Sequence, residues 1–195
     1  MTAGKVILAT LLAGTLSILI ALLGRNWLGD PKAPSLSLPG LQDNPSDQLQ
    51  QLPDFTLTDL QGQTVASAQW QGQVVVLHFW ASWCLPCLEA LPLLDNAQRA
   101  TDKLRVVGFA IDTSSEVGRY LAKHPLSYPV VLGGTEAVEL SRRLGNRLQG
   151  LPFIVIFDAQ GQRVHAQTGG ISQAELGAQL TPLIAKATEA ALAPQ

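Results

Sequence analysis

The feature that most restricts this chain is a pair of cysteines, Cys84 and Cys87, the only two in 195 residues. They stand where a buried-strand pattern gives way to a helical one. Gln73 to Trp80 reads QVVVLHFW, rich in β-branched and aromatic residues and apolar almost throughout, as a strand covered on both faces must be. After a short turn, a helix is predicted from about Cys84 toward Ala100, with Pro86 in its first turn and Pro92 as an internal kink. Two cysteines scattered at random in a chain of this length fall three apart in about one arrangement in a hundred, so the spacing calls for a chemical reason.

A helix N-terminus supplies one. Its unpaired N–H groups and partial positive charge stabilise a thiolate, which is the nucleophilic form of cysteine. Cys84, at the helix start, is therefore the expected attacking thiol. Cys87 lies one turn on along the same face and is placed to resolve a mixed disulfide. Trp80 and Trp83 offer either an apolar rim for a docked polypeptide or ordinary packing. The metal reading competes with the redox one. A closed structural zinc site takes four ligands, and His78, His124 and His165, the three histidines of the chain, show no zinc-type spacing. A copper-binding metallochaperone, using the two sulfurs as soft ligands, is the alternative from another functional class. A peroxide reductase would want a Thr- and Arg-supported cysteine instead, and an inert anchor module would not need the intact pair.

Around this centre strands and helices alternate. The expected strands are Asp54 to Thr58, Leu104 to Ile111, Pro129 to Leu132, Phe153 to Phe157 (FIVIF) and Arg163 to Thr168, the last two joined by a hairpin turn at Gln160-Gly161. The expected helices are Glu116 to Lys123, Glu136 to Leu144 and Gln173 to Ala191. Alternation ending in a hairpin argues for an α/β domain with a mixed sheet.

Upstream, Val6 to Leu23 is an uncharged stretch of 18 residues between Lys5 and Arg25. As a helix it would reach about 27 Å, near the roughly 30 Å of a bilayer core. The Ala21-Leu22-Leu23-Gly24-Arg25 exit lacks the small residues of a signal-peptide cleavage site, so the expectation is an uncleaved anchor, with the domain on the non-cytoplasmic side. Residues 29–51 carry Pro31, Pro34, Pro39 and Pro45 among polar residues and read as a spacer. The expected organisation is thus an anchor over 1–28, a linker over 29–51 and one folded domain over 52–195. With 13 basic and 15 acidic residues and no run of either sign, nothing suggests a nucleic-acid surface.

Phe79-Trp80-Ala81-Ser82-Trp83-Cys84-Leu85-Pro86-Cys87 resembles the active-site signature of thioredoxins, above all of the membrane-anchored TlpA/ResA-like thiol–disulfide oxidoreductases. Pro53-Asp54-Phe55-Thr56-Leu57, Gly72-Gln73-Val74-Val75 and Pro92 fit the same pattern, and Thr113 to Gly134 resembles the helix–strand insertion of these proteins. The resemblance covers roughly Leu52 to Ile184. It implies a thioredoxin fold, a central mixed sheet with helices on both faces, preceded here by one transmembrane helix. It implies a cis proline at Pro152, in Gly150-Leu151-Pro152-Phe153, facing the dithiol. Leu151, Pro152, Trp83 and Pro86 would then contact an extended substrate chain by strand addition. Two positions depart from the family: Ala90 stands where many members carry an acidic residue, and His78 where thioredoxins carry a buried aspartate. His78 has two readings, a satisfied core histidine or a general base for Cys87. The implied activity is dithiol–disulfide exchange with protein substrates outside the cytoplasm, expected as a reductant. It needs no bound cofactor and no metal, and its electrons would come from another thiol protein.

Overall fold

The computed structural model describes residues 48–192; the predicted membrane anchor and most of the predicted linker lie outside them. Among the described residues no helix is long and apolar enough to cross a membrane.

Five strands form the central sheet: β3 (Val74–Trp80), β4 (Leu104–Ala110), β5 (Val130–Leu132), β6 (Phe153–Phe157) and β7 (Arg163–Thr168). Their spatial order is β5-β4-β3-β6-β7. β3, β4 and β5 run parallel, while β6 and β7 are antiparallel to their neighbours, so the sheet is mixed. Every residue of β3 is buried, which accounts for its unbroken apolar sequence. Successive side chains point to opposite faces. Val74, Val76 and Trp80 join one core with Cys87, Ala90, Leu91 and Leu94 of α1 (Leu85–Ala100). Val117 of α2 (Ser114–Leu121) and Leu176 and Leu180 of α4 (Gln173–Leu192) complete that layer. Val75, Leu77 and Phe79 face the other core, with Val65, Trp70 and Phe55 and with Ala137 of α3 (Gly134–Arg143).

The first strand is shorter than predicted, β1 at Thr56–Thr58, and pairs with an unpredicted β2 at Thr64–Ala66. A 3-10 turn, Ser67–Trp70, follows and delivers the Trp70 indole to the second core. The helix α1 begins about where expected. Cys84 is its N-cap in extended conformation (φ −95°, ψ 97°), and Leu85 is the first helical residue. β4 stops at Ala110, and α2 and α3 each start two residues before their predicted positions, α2 because Thr113 caps it by accepting from the Glu116 N–H. α4 continues through Pro182, which the sequence reading did not single out.

Two polar side chains finish edges that backbone pairing leaves open. β5 covers β4 only from Gly108 to Ala110. Below it the Gln98 amide of α1 donates to the Leu104 carbonyl (3.0 Å) and accepts from the Val106 N–H (2.7 Å), bonding as a strand would. At the other edge residues 48–51, the end of the expected spacer, run beside β7. The Arg163 N–H donates to the Gln50 carbonyl (2.7 Å), and the Arg163 guanidinium to the Gln48 side chain (3.0 Å).

Candidate functional site

The site sits where β3 ends and α1 begins. Cys84 and Cys87 are joined by a disulfide. Cys84 is 6% exposed and Cys87 fully buried, so a partner can approach only the first sulfur. The turn before them is closed by the Cys84 N–H donating to the Ala81 carbonyl (3.2 Å). The Cys84 carbonyl then accepts from Cys87 (3.0 Å) and Leu88 (3.1 Å) as α1 starts. Pro86 occupies the first helical turn, where no intrahelical bond is lost. Trp83 (71%) and Leu85 (67%) project outward beside the pair. Trp80, by contrast, is wholly buried and packs edge-on against Tyr120. Of the two tryptophans, only Trp83 can meet a partner.

A second loop lies near α1. The Leu151–Pro152 peptide is cis. The Pro152 carbonyl accepts from the Gly169 N–H (2.8 Å), and a Cβ on the adjacent Gly170 would lie 3.7 Å from Pro86. The segment after β7 is thereby tied to Pro152 and lies beside the first turn of α1. Leu151 is half-buried and packs against both cores. The chain before it is clamped by Asn146, a buried side chain that sequence reading missed. Its carboxamide donates to the Gly150 carbonyl and accepts from the Gly150 N–H, both at 3.0 Å, as a neighbouring strand would. Gly150 has no room for a side chain, since a Cβ would stand 2.6 Å from the Thr168 methyl. An Asn four residues before a Gly is too common a spacing to have been noticed.

His78 lies in β3 with the register of Val76 and Trp80, on the sheet face that carries Cys87. Gly108 and Ile154 flank it on the neighbouring strands. It is completely buried, and neither ring nitrogen has a hydrogen-bond partner among the described residues. Burial lowers the imidazole pKa from 6.5 to about 3, so with the disulfide closed the ring is neutral and keeps a free lone pair. Ala90 is buried on the inner face of α1, while Glu89 is one position off it, so Glu89 does not replace the acidic residue that Ala90 lacks. Among the described residues no three His, Cys, Asp or Glu side chains are grouped to hold a metal ion.

Residues 48–180 match the Redoxin family. The thioredoxin-like protein YneN of Bacillus subtilis is 33% identical over 88 residues, which are 43% of this chain and 52% of that protein. The thiol-disulfide oxidoreductase ResA of Geobacillus kaustophilus is 26% identical over 127 residues, covering 64% of this chain and 71% of ResA. Among solved structures, a putative thiol:disulfide interchange protein DsbE from Chlorobium tepidum superposes with a TM-score of 0.61 at 25% identity, over 70% of this chain and 97% of that one. The chain thus spans about half the length of the first relative and about seven-tenths of the second.

Proposed function

Because the chain belongs to the Redoxin family and is a thiol–disulfide oxidoreductase of the TlpA/ResA-like kind, we propose that it reduces disulfides in proteins outside the cytoplasm. The observation that carries this is the asymmetry of the pair: a reachable Cys84 capping α1 and a buried Cys87 one turn behind it.

The chemistry follows from that asymmetry. In the reduced enzyme the Cys84 thiolate attacks a substrate disulfide, forming a Cys84–substrate disulfide and expelling the other substrate sulfur as a thiolate. Cys87 then loses its proton and attacks the Cys84 sulfur. This closes the Cys84–Cys87 disulfide and releases the second substrate thiolate. Two electrons pass to the substrate, and a thiol donor protein returns them by the reverse exchange. Trp83, Pro86, Leu151 and cis-Pro152 frame the place where the substrate chain would lie. His78 has a defined part in the second step. A Cys87 thiolate forming near the imidazole offsets the desolvation that keeps it neutral, so the ring can accept the Cys87 proton as one half of an ion pair. The copper-binding alternative is not favoured, because the two sulfurs are bonded to each other and the relatives are exchange enzymes. The uncharged Val6 to Leu23 stretch supports an N-terminal membrane anchor, with the spacer holding the domain off the bilayer.

A trapping experiment tests this reading. Replacing Cys87 with Ser should leave long-lived mixed disulfides on Cys84, visible on a non-reducing gel, and replacing Cys84 should abolish them. The adducts should stay in the membrane fraction after an alkaline wash and be open to external protease. Adducts formed only by the Cys84 variant would reverse the assignment of the two thiols.

A further inference from the structure

The reading of the pair as an exchange centre leaves one charged group beside it without a task. The pairing of β3 with β4 carries one residue past the end of β4: the Ile111 N–H donates to the carbonyl of Trp80, the last residue of β3, at 2.8 Å. This brings Asp112 alongside the turn that leads to Cys84. One carboxylate oxygen of Asp112 accepts both the Ser82 N–H (2.9 Å) and the Ser82 hydroxyl (2.6 Å). The other accepts the Thr113 N–H at 2.7 Å. Thr113 is itself the cap of α2. A single side chain thus ties together the end of β4, the start of α2 and the residue two positions before the attacking cysteine.

From this geometry we infer that Asp112 is a positioning residue of the exchange reaction, which fixes the Ala81–Cys84 turn and keeps the pair reducing by placing a negative charge beside it. The inference rests on the exchange function proposed above.

Two physical arguments support it. First, Ala81 and Cys84 are buried in the core, but Ser82 and Trp83 between them are not part of it. The turn's own closing bond, from Cys84 to Ala81, is 3.2 Å long, and Trp83 is largely solvent-exposed. The two bonds from Ser82 to Asp112 are shorter, and bonds to a charged acceptor are about twice as strong as neutral ones. Second, the charge is present at neutral pH. Burial alone would raise the Asp112 pKa, but the hydrogen bonds from the Ser82 hydroxyl, the Ser82 N–H and the Thr113 N–H outweigh it and hold the carboxyl below the ordinary aspartate value. All three donors are neutral groups, so they satisfy the carboxylate without cancelling its charge. That charge opposes the helix N-terminus of α1. The helix favours a Cys84 thiolate, while the carboxylate disfavours it. A less stable thiolate means a less stable dithiol relative to the disulfide, and so a stronger reductant.

The test uses the full-length protein at equilibrium with glutathione: oxidised protein plus two glutathione thiols giving the dithiol plus one glutathione disulfide. Asp112→Asn keeps an oxygen for Ser82 and loses the charge. Its equilibrium constant should move toward the dithiol by about threefold to tenfold, the scale of one nearby charge in a partly solvated site, and its Cys84 thiolate absorbance should titrate at lower pH. Ser82→Ala keeps the charge and loses the 2.6 Å bond. It should leave the equilibrium near the wild-type value and slow the attack of Cys84 on a model disulfide, compared at equal thiolate fraction. A folded Asp112→Asn protein whose equilibrium constant and Cys84 titration both match wild type would overturn the role of the charge. A Ser82→Ala protein with an unchanged attack rate would overturn the role of the tether. Wild-type protein that does not exchange with glutathione at all would instead remove the exchange function on which both rest.

Discussion

The two faces of β3 come from one strand and bury different chemistry. On one face Val75, Leu77 and Phe79 enter a core closed by aromatic rings. Phe79 stacks on Phe109 with centroids 4.9 Å apart, and Phe55 meets both Phe109 and Trp70 edge-on. On the other face His78 and Trp80 turn toward α1, and Tyr128 joins them from the segment before β5. Four residues have buried polar atoms without a partner among the described residues, and three of them, His78, Trp80 and Tyr128, belong to this face. The fourth, Arg105, is only half-buried. Leaving a buried donor or acceptor unmade costs about 1–3 kcal/mol each. One face thus packs ring on ring, while the face toward α1 also buries polar atoms. The difference teaches where this fold places buried polar side chains: on the sheet face that His78 shares with Cys87.

The largest effect should come from breaking the aromatic face. Phe79→Ala removes a fully buried ring from two ring contacts and should cost about 3–5 kcal/mol, read from denaturant unfolding. Cys84 in the folded fraction should react at its ordinary rate. A parallel loss of thiol reactivity would show that the two faces are not separable.

His78→Asn tests the other face. It should slow release of the mixed disulfide by roughly 10- to 100-fold, the lower part of the general-base range, with the deficit shrinking as pH rises toward the thiol pKa. The same variant changes acid stability in a defined direction. The folded-state pKa of His78, about 3, lies below the ordinary value of 6.5, so the unfolded chain binds the extra proton. The stability this group permits is complete above pH 6.5 and is lost as pH falls toward 3, by up to about 1.4 kcal/mol per unit. The Asn variant should show a correspondingly flatter acid limb in unfolding measured from pH 7 to 4. Stopped-flow exchange at an unchanged rate from pH 6 to 9 would leave His78 as packing alone.

The smallest effect is expected from Trp80→Phe. Packing area is lost, but so is an indole N–H that has no partner among the described residues, and the two partly cancel. Stability should change by less than about 1.5 kcal/mol in either direction. A loss on the scale of Phe79→Ala would mean that the indole N–H is satisfied in solution and that the contrast between the faces is weaker than drawn here.

Much of this was legible in the residues, for particular reasons. The β3, β6 and β7 patterns are local, and a strand buried on both faces or on one face writes its period into consecutive positions. The cysteine pair and Pro86 need only one helical turn to acquire their meaning. β2 and the 3-10 turn were missed because three or four residues are too few to show a period, and they are held by β1 and by the second core rather than by propensity. The backbone at Cys84 then decides that this cysteine is the cap of α1 and Leu85 its first helical residue.

By itself the sequence determined the α/β alternation, the strands of the core and the C-x-x-C pair, because each follows from periodicity or spacing within a single element. Tertiary structure alone decided the rest. It set Asp112 against Ser82, 30 residues away, put the Asn146 carboxamide around Gly150, and laid Gln98 along the open edge of β4. It also left His78 buried with neither ring nitrogen partnered among the described residues. None of these can be read from a neighbourhood in the chain, since a hydrogen bond records which groups meet after the elements pack, and a missing one records which groups do not.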